Sequence, residues 1–368
     1  MPARPTSAVP SRSSASSGRK PGRSAPRTAS PRRLSALLFP LSRAVRRFFS
    51  VLSAAAALFV AGSWIASRRL AARLVSATGL GPTADRRKEL LAALSNAANL
   101  VEELRHAGSP LDPVELVATF ASPGEPDRRP TLLFLHGKGG AASEWEEDAL
   151  RAIALGYNVL LPDLRGHGLS GGRYMTFGFL EKDDLANAIA MARERWKIDP
   201  HRLGVHSCSA GSSIALSLAA DRTGIRALWL ESPFADPREM ARHYLSAATH
   251  IPSLFLSLAT RWAVAQTVWG VKRDLGLESA AGGLERADPV AALERVRCPV
   301  LLVYGEEDRL VPPRFVERLI EALPPGSAVF RAPGAGHCHH PNEPAAVLRE
   351  EYRRRWTEFF DRHLPVSG

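Results

Sequence analysis

Residues 202–221 read RLGVHSCSAGSSIALSLAAD, and in this stretch a short apolar run passes through a serine-rich turn into a helical pattern. Enzymes with a serine nucleophile often place it in such a turn between a buried strand and a helix, written Gly-x-Ser-x-Gly. The complete pattern is absent from this stretch, since none of its serines has glycine both two residues before it and two residues after it. A nucleophile in this turn therefore has to be identified by position.

Ser209 is the serine whose position fits a nucleophile. The backbone of such a turn is strained, and the residues two before and two after must be small so that strand and helix can approach each other. For Ser209 these residues are Ser207 and Gly211, whereas a nucleophile at Ser207 would be preceded by the β-branched Val205. The later serines fall inside the helix. The alternative is a serine-rich helix N-cap without catalysis.

From Pro113 onward, short apolar runs alternate with longer helical patterns. Near-continuous apolar strands separated by helices predict an α/β fold with a mostly parallel sheet and helices on both faces. The alternation is interrupted at about 236–297, where helical stretches occur without a clear strand. Because such sheets bind ligands at the carboxyl ends of their strands, an insertion there predicts a small helical cap over the site. Ordinary surface helices are the alternative.

Five segments follow predicted strands and carry polar or glycine residues: LLFLHGKGG (132–140), LLPDLRGHGLSGG (160–172), LGVHSCSAGSS (203–213), LLVYGEEDRLVPP (301–313) and FRAPGAGHCHH (330–340). In this order they resemble the α/β-hydrolase fold family, and in particular its serine aminopeptidase and monoacylglycerol-lipase-like branch. The resemblance covers roughly residues 114–365. It implies an α/β-hydrolase domain over 114–368 with a cap insertion at about 236–297.

The resemblance also implies a catalytic triad. His337 matches the histidine that follows the last strand, while His339 and His340 lack its small preceding residues and are interpreted as loop or surface positions. Asp308, three residues after a glycine, matches the acid that orients the histidine. Glu231 is the alternative acid. It ends the predicted strand IRALWLE (225–231), and a carboxylate after that strand could also reach the histidine.

The implied chemistry is that of a serine hydrolase acting on an ester, thioester or amide. Ser209 would attack the carbonyl while His337 takes its proton, and the backbone N–H groups of Lys138 and Ala210 would hold the oxyanion. The Lys138 side chain is expected to face solvent. The expected partner is a small-molecule acyl substrate, and no cofactor or metal is implied. A non-catalytic binding or scaffold protein with the same fold is the alternative.

The positive charge of the chain is confined to its N-terminal part. Of the 48 Lys and Arg residues, 14 lie within residues 1–84, which contain no Asp or Glu. The remaining 34 face 37 acidic residues, so the rest of the chain is close to neutral. A nucleic-acid-binding face on the domain is therefore not expected.

The N-terminal part predicts a membrane-anchored protein. Residues 1–47 form a basic arm with few large apolar residues and are expected to be disordered. Residues 48–67, FFSVLSAAAALFVAGSWIAS, lie between arginine pairs and predict a transmembrane or signal-anchor helix, with the hydrolase domain outside the cytoplasm. A twin-arginine export signal and an organelle transit peptide are the alternatives. Residues 84–107 predict an amphipathic linker helix.

Cys208, Cys298 and Cys338 are few and widely spaced, which predicts small buried apolar residues rather than a disulfide framework or a zinc site. Apolar residues within the predicted cap suggest an acyl or lipid group in the substrate: Leu254, Phe255, Leu256, Trp262, Val268 and Trp269. The sequence carries no signal for oligomeric state.

Overall fold

The computed structural model describes residues 42–77, 84–221, 224–249, 253–276, 288–338 and 346–366. The chain divides into two units, Met1–Ala57 and Leu58–Gly368. The second unit contains the sheet and the residues of interest for function.

Within the described residues, eight strands form one sheet in the order β1-β2-β4-β3-β5-β6-β7-β8. The strands are β1 Leu100–Ala107, β2 Glu115–Ser122, β3 Thr131–Leu135, β4 Asn158–Pro162, β5 Leu203–Cys208, β6 Ile225–Glu231, β7 Val300–Gly305 and β8 Ala328–Ala332. Strand β2 pairs antiparallel with both β1 and β4, and every other pairing is parallel. The carboxyl ends of β3 to β8 therefore meet at one edge.

The helices are α1 Arg43–Val75, α2 Ala84–Ala97, α3 Glu146–Ala154, α4 Glu181–Trp196, α5 Ala210–Ala220, α6 Pro237–Thr249, α7 Ser253–Asp274, α8 Pro289–Leu293, α9 Glu317–Glu321 and α10 Ala346–His363. Alternate residues of each central strand point to opposite faces of the sheet. Along β3, Leu133 and Leu135 pack in one core with residues of α4, α5 and α8. Leu132 and Phe134 pack in the other core with residues of α2, α3 and α10. This two-sided covering is the predicted α/β architecture.

The segment predicted as a linker helix over 84–107 is partly a strand. Helix α2 ends at Ala97, and Leu100–Ala107 pairs with β2 along its whole length. Leu104 and His106 are buried while Arg105 is exposed, so the side chains alternate as they do in a strand. The apolar residues fit both periods, and pairing with the free edge of β2 decides between them. The sheet therefore begins before residue 114.

The predicted transmembrane helix over 48–67 is not supported. These residues lie within helix α1, but no helix in the described part of the chain is long and apolar enough to span a membrane. Ten of the twenty residues in this stretch are alanine or serine, which carry little apolar surface. The proposed arm over 1–47 lies mostly outside the described residues, although α1 already begins at Arg43.

In its described residues the predicted cap insertion is helical, as the lack of strand patterns indicated, and its helices take different places. Helices α6 and α7 contribute residues to a cavity over the strand ends. Helix α8 belongs to the core instead, where Leu293 packs against the sheet. Trp262 and Trp269 on α7 are 45% and 60% exposed, so they do not supply the apolar substrate surface expected of them. The side chains of residues 254–256 lie outside the described part.

Candidate active site

Ser209 forms the turn between β5 and α5. Its backbone has φ 54° and ψ −119°, which is unusual for a residue with a side chain and stores strain. The Ser209 N–H donates to the Glu231 carbonyl at 2.9 Å, which fixes the turn to the end of β6. The Ser209 side chain is left to face the cavity described below.

The two residues flanking this turn pack as the sequence indicated. A Cβ on Gly211 would lie 2.4 Å from the Leu135 carbonyl oxygen, so a side chain has no space there. Ser207 stands where the usual pattern has glycine, and its hydroxyl lies 3.2 Å from the Trp229 carbonyl oxygen and 3.2 Å from the Ser212 hydroxyl. The buried hydroxyl of Ser207 is therefore satisfied, which explains why serine is accepted at this position.

His337 and Asp308 form a hydrogen-bonded pair. The His337 Nδ1 lies 2.7 Å from Asp308 Oδ2, and the Asp308 side chain is fully buried. The other carboxylate oxygen accepts the N–H groups of Leu310 and Val311 at 2.9 and 2.7 Å, so the carboxylate is fixed in orientation. With Nδ1 donating to Asp308, the Nε2 atom of His337 is the one able to accept a proton. His337 lines the same cavity as Ser209.

Glu231, the alternative acid, is bonded elsewhere. Its carboxylate lies 2.9 Å from His206 Nε2 and 3.1 Å from Trp229 Nε1, and it also accepts the Tyr352 hydroxyl. Trp229 and Tyr352 belong to the core beneath the sheet, on the α10 side. Burial raises the pKa of Tyr352 well above its ordinary value. Side chains alternate along β6, so Glu231 offers its backbone to Ser209 and its carboxylate to the core.

His339 and His340 lie outside the described residues. Glu306 and Glu307, which share the turn with Asp308, are exposed, and Glu306 pairs with Arg331. Among the residues that the structure describes, Asp308 is therefore the acid that reaches His337.

The loop after β3 lies directly against Ser209. A Cβ placed on Gly137 would be 3.3 Å from the Ser209 Cβ. The parallel register of β3 and β5 pairs Leu135 with Ser207, so both strands end at the same level. This loop contains Lys138, whose N–H was predicted to hold an oxyanion. Lys138 is exposed, as expected, but it also lines the cavity, and desolvation lowers its pKa to about 8.

Two buried histidines fix this loop. His136 Nδ1 lies 2.7 Å from the Gly137 carbonyl oxygen, and its Nε2 accepts the Leu164 N–H at 3.0 Å. His167 accepts the Gly139 N–H on Nε2 at 3.1 Å, while its Nδ1 lies 2.9 Å from the Arg165 carbonyl oxygen. Each ring therefore donates on one nitrogen and accepts on the other, as a neutral imidazole does. Burial lowers the pKa of His136 to about 3 and lowers that of His167 as well.

The loop after β4 is fixed in turn by buried charges. Asp163 accepts the Ala142 N–H at 2.9 Å and forms a salt bridge with Arg87 of α2 at 3.0 Å. The fully buried Arg165 pairs with Asp184 at 2.7 Å and with Asp112 at 2.6 Å. These residues shape the wall of the site, and none of them lines the cavity.

Above the strand ends lies a cavity of about 1110 Å³. Its floor contains Ser209, Ala210 and His337. Its apolar lining includes Phe177, Phe234, Met240, Val264 and Val268, the last three from α6 and α7. The Lys, Arg, Asp and Glu residues of the lining are Lys138, Glu144, Asp236, Arg238, Asp288 and Arg318. In the described part of the chain, no group of three His, Cys, Asp or Glu residues is arranged to hold a metal ion.

The sequence interpretation of all three cysteines as separate buried side chains is wrong for two of them. Cys208 and Cys338 form a disulfide with a Cα–Cα distance of 5.9 Å across a sequence separation of 130 residues. Cys298 is free and buried, in line with the sequence interpretation. The signal that could have revealed the pair is its placement: Cys208 directly precedes Ser209, and Cys338 directly follows His337.

Relatives are found by sequence and by structure. YqkD of Bacillus subtilis is 29% identical over 214 residues, which cover 57% of this chain and 64% of that protein. Rv2307c of Mycobacterium tuberculosis is 29% identical over 234 residues, covering 62% of this chain and 70% of that protein. The match thus spans just under two thirds of YqkD.

Among solved structures, the Pyrococcus furiosus esterase Pf2001 superposes with a TM-score of 0.57 at 20% identity, covering 78% of this chain and 98% of that one. The Pyrococcus horikoshii acylaminoacyl peptidase superposes with a TM-score of 0.51 at 19% identity, covering 73% of this chain and 42% of that one. At these identities the likeness shows the fold. Residues 132–350 match the alpha/beta hydrolase family, and they contain the Ser209 turn, Asp308 and His337. The chain therefore belongs to the α/β hydrolase family.

Proposed function

We propose that the protein is a serine hydrolase that cleaves an ester, thioester or amide through an acyl-enzyme on Ser209. The observation that carries this proposal is the strained backbone of Ser209 at the floor of a cavity shared with His337, which Asp308 holds by Nδ1. A strained turn that exposes a serine hydroxyl beside an oriented imidazole is the arrangement that serine hydrolases use.

In the proposed mechanism, His337 Nε2 takes the proton of Ser209 as the hydroxyl oxygen attacks the carbonyl carbon. Asp308 stabilises the imidazolium that forms and holds its orientation. The negative charge on the carbonyl oxygen is held by the N–H groups of Ala210, at the N-terminus of α5, and of Lys138. Loss of one such donor raises the barrier by about 3 kcal/mol. His337 then protonates the leaving group, and water activated by the same nitrogen releases the acid.

Esterases and peptidases both occur among the solved structures with this fold. The fold therefore does not choose between ester and amide substrates. Ester substrates are the more sensitive probe of the proposed site, because a phenolate leaving group needs less protonation than an amine.

The proposal is tested with a fluorophosphonate probe and with p-nitrophenyl esters. We expect wild-type protein to be labelled and to hydrolyse the esters, and Ser209→Ala to do neither. The matched control is Ser213→Ala, four residues further on in α5. Ser213 is buried, and its hydroxyl has no hydrogen-bond partner among the described residues. This control should be labelled like wild type.

Two results would contradict the proposal. Wild-type protein that is neither labelled nor active on any ester would favour a non-catalytic binding role for the fold. Equal labelling of Ser209→Ala and wild type would place the nucleophile elsewhere.

A further inference from the structure

The disulfide Cys208–Cys338 connects the two residues that the proposed reaction brings together. Cys208 is the last residue of β5 and is followed by Ser209, whereas Cys338 follows His337 in the loop after β8. In the sheet, β5 and β8 are separated by β6 and β7, so no strand pairing links them directly. The disulfide is therefore a covalent link across two intervening strands between the nucleophile and the base.

The loop that carries His337 also contacts the ends of the two strands that lie between β5 and β8. At the neighbouring β7 end, the Glu307 N–H donates to the Ala335 carbonyl at 2.9 Å. The Cys338 N–H donates to the Ser232 hydroxyl at 3.2 Å, which reaches only as far as the end of β6. Cys338 also has φ 52°, a conformation that costs energy for a residue with a side chain. The position of His337 relative to Ser209 thus depends on these contacts, on the hydrogen bond to Asp308 and on the disulfide.

We propose that the Cys208–Cys338 disulfide is a positioning element for the catalytic pair, and that a dithiol reductant lowers turnover by opening it. This inference rests on the proposed function. Catalysis requires the Ser209 oxygen and the His337 nitrogen within hydrogen-bond reach, and displacement by about 1 Å is enough to cost on the order of a hundredfold in rate. Substrate binding depends on the wider cavity wall, much of which comes from other elements such as α6 and α7. The expected effect is therefore on kcat rather than on KM.

The disulfide can be reached from the cavity. Cys208 and Cys338 are each almost fully buried, yet both line the cavity that contains Ser209. A thiolate of a small dithiol attacks one sulfur of the disulfide, forms a mixed disulfide with that cysteine and releases the other cysteine as a thiolate. The second thiolate of the same reductant then attacks the mixed disulfide and releases the first cysteine. Two electrons and two protons pass to Cys208 and Cys338, which become thiols, and the reductant leaves as a cyclic disulfide. Phosphonylated Ser209 should slow this reaction by filling the route of entry.

The experiment uses the full-length protein and dithiothreitol, and it begins by counting thiols. Denatured in the absence of reductant, the protein should alkylate at Cys298 alone, and after native reduction it should alkylate at three cysteines. Kinetics on a p-nitrophenyl ester should then show kcat reduced at least tenfold and KM changed less than twofold. Removal of the reductant and reoxidation should restore kcat. A melting curve of the reduced protein, with its midpoint above the assay temperature, verifies that this protein remains folded in the assay.

Variants separate the disulfide from other effects of the reductant. Cys338→Ser should have the low kcat of the reduced protein and no response to dithiothreitol. Cys208→Ser should behave in the same way. Cys298→Ser is the matched control, since Cys298 is buried in the connection between α8 and β7 and takes no part in the link. It should be as active as wild type and equally sensitive to the reductant.

The outcomes that overturn this inference differ from those that overturn the proposed function. Three alkylated thiols without reductant, or unchanged kcat in a folded protein with three reduced cysteines, would refute the positioning role while labelling at Ser209 continued. Equal reduction rates with free and phosphonylated Ser209 would refute access through the cavity. An oxidised protein that neither labels nor hydrolyses esters would refute both proposals.

Discussion

At Gly211 the approach of strand and helix leaves no volume for a methyl group. A Cβ there would lie 2.4 Å from the carbonyl oxygen of Leu135 and 2.7 Å from that of His136. Both atoms belong to the backbone at the end of β3, so neither can turn away as a side chain could. The same closeness brings the loop after β3 against Ser209, which means that this glycine supports both packing and the proposed oxyanion site.

We expect Gly211→Ala to lower the free energy of unfolding by about 1–3 kcal/mol, the usual cost of overpacking a core. It should also slow fluorophosphonate labelling, because the loop after β3 has to move. Gly270→Ala is the control, since a Cβ at this position of α7 has nothing within 4 Å. That change should be neutral or stabilising by up to about 1 kcal/mol. Urea unfolding of both variants measures the difference, and equal stability of the two would contradict the packing argument.

At the scale of secondary-structure elements, the loops after β3 and β4 hold each other through neutral histidines. His136 and His167 accept N–H groups with Nε2, which a protonated ring cannot do. The loop that lies against Ser209 is thus fixed by hydrogen bonds to the Nε2 atoms of these two histidines, and protonation of either Nε2 atom would break its bond. This arrangement gives the pair of loops a pH dependence of its own.

The sign of that dependence follows from the pKa of His136. Its pKa is about 3 in the folded protein against an ordinary value of 6.5. Below pH 6.5 the unfolded chain therefore binds more protons, so the stability contributed by neutral His136 is complete above pH 6.5 and is lost as the pH falls toward 3. Between about pH 7.5 and pH 5 we expect a loss of about 2 kcal/mol from this residue.

The measurement is urea unfolding of wild type and His136→Gln at both pH values. Between these pH values, the free energy of unfolding of the variant should fall by about 2 kcal/mol less than that of wild type. His201→Gln, a change at an exposed histidine, should retain the wild-type pH dependence. A variant at residue 136 with an unchanged slope would show that His136 is not the group responsible.

At the scale of the whole molecule, the site is a cavity between the carboxyl edge of the sheet and helices α6 and α7. Its volume of about 1110 Å³ is slightly above the usual range of small-molecule sites, about 300–1,000 Å³. Apolar residues of both helices line it, while Trp269 on α7 faces solvent. The cavity therefore offers room for an acyl chain longer than acetyl on the helical side.

Across p-nitrophenyl acetate, butyrate, hexanoate and octanoate, we expect kcat/KM to rise with chain length. Burial of one CH₂ group is worth about 0.8 kcal/mol, which gives at most about a fourfold rise for each methylene. Val268→Ser should weaken the preference for long chains, because Val268 lines the cavity. Trp269→Ser, at the next residue, should leave it unchanged. A flat or falling series would show that the acyl group lies away from these helices.

Much of this organisation could be predicted from the local sequence. The alternation of apolar runs and helical patterns predicted the α/β sheet, and the small residues around Ser209 predicted a sharp turn that the structure shows with φ 54°. Strand β1 was mistaken for helix because Leu100 and Leu104, four residues apart, fit both periods, and pairing with β2 is a contact between strands that the pattern of one segment does not show. Glu231 was wrongly considered as a candidate acid for a similar reason. Its position at the end of a strand does not tell on which face of the sheet its side chain lies.

After residue 113, the sequence by itself determined which segments become the strands of the sheet and which residues stand at the strand ends, because periodicity and turn chemistry are local properties. Only the tertiary structure decided which of those residues meet. It paired Asp308 with His337, turned Glu231 toward His206 in the core, and joined Cys208 to Cys338 across 130 residues. These contacts depend on the order of strands in the sheet, and that order is set by packing of the whole domain rather than by any one segment.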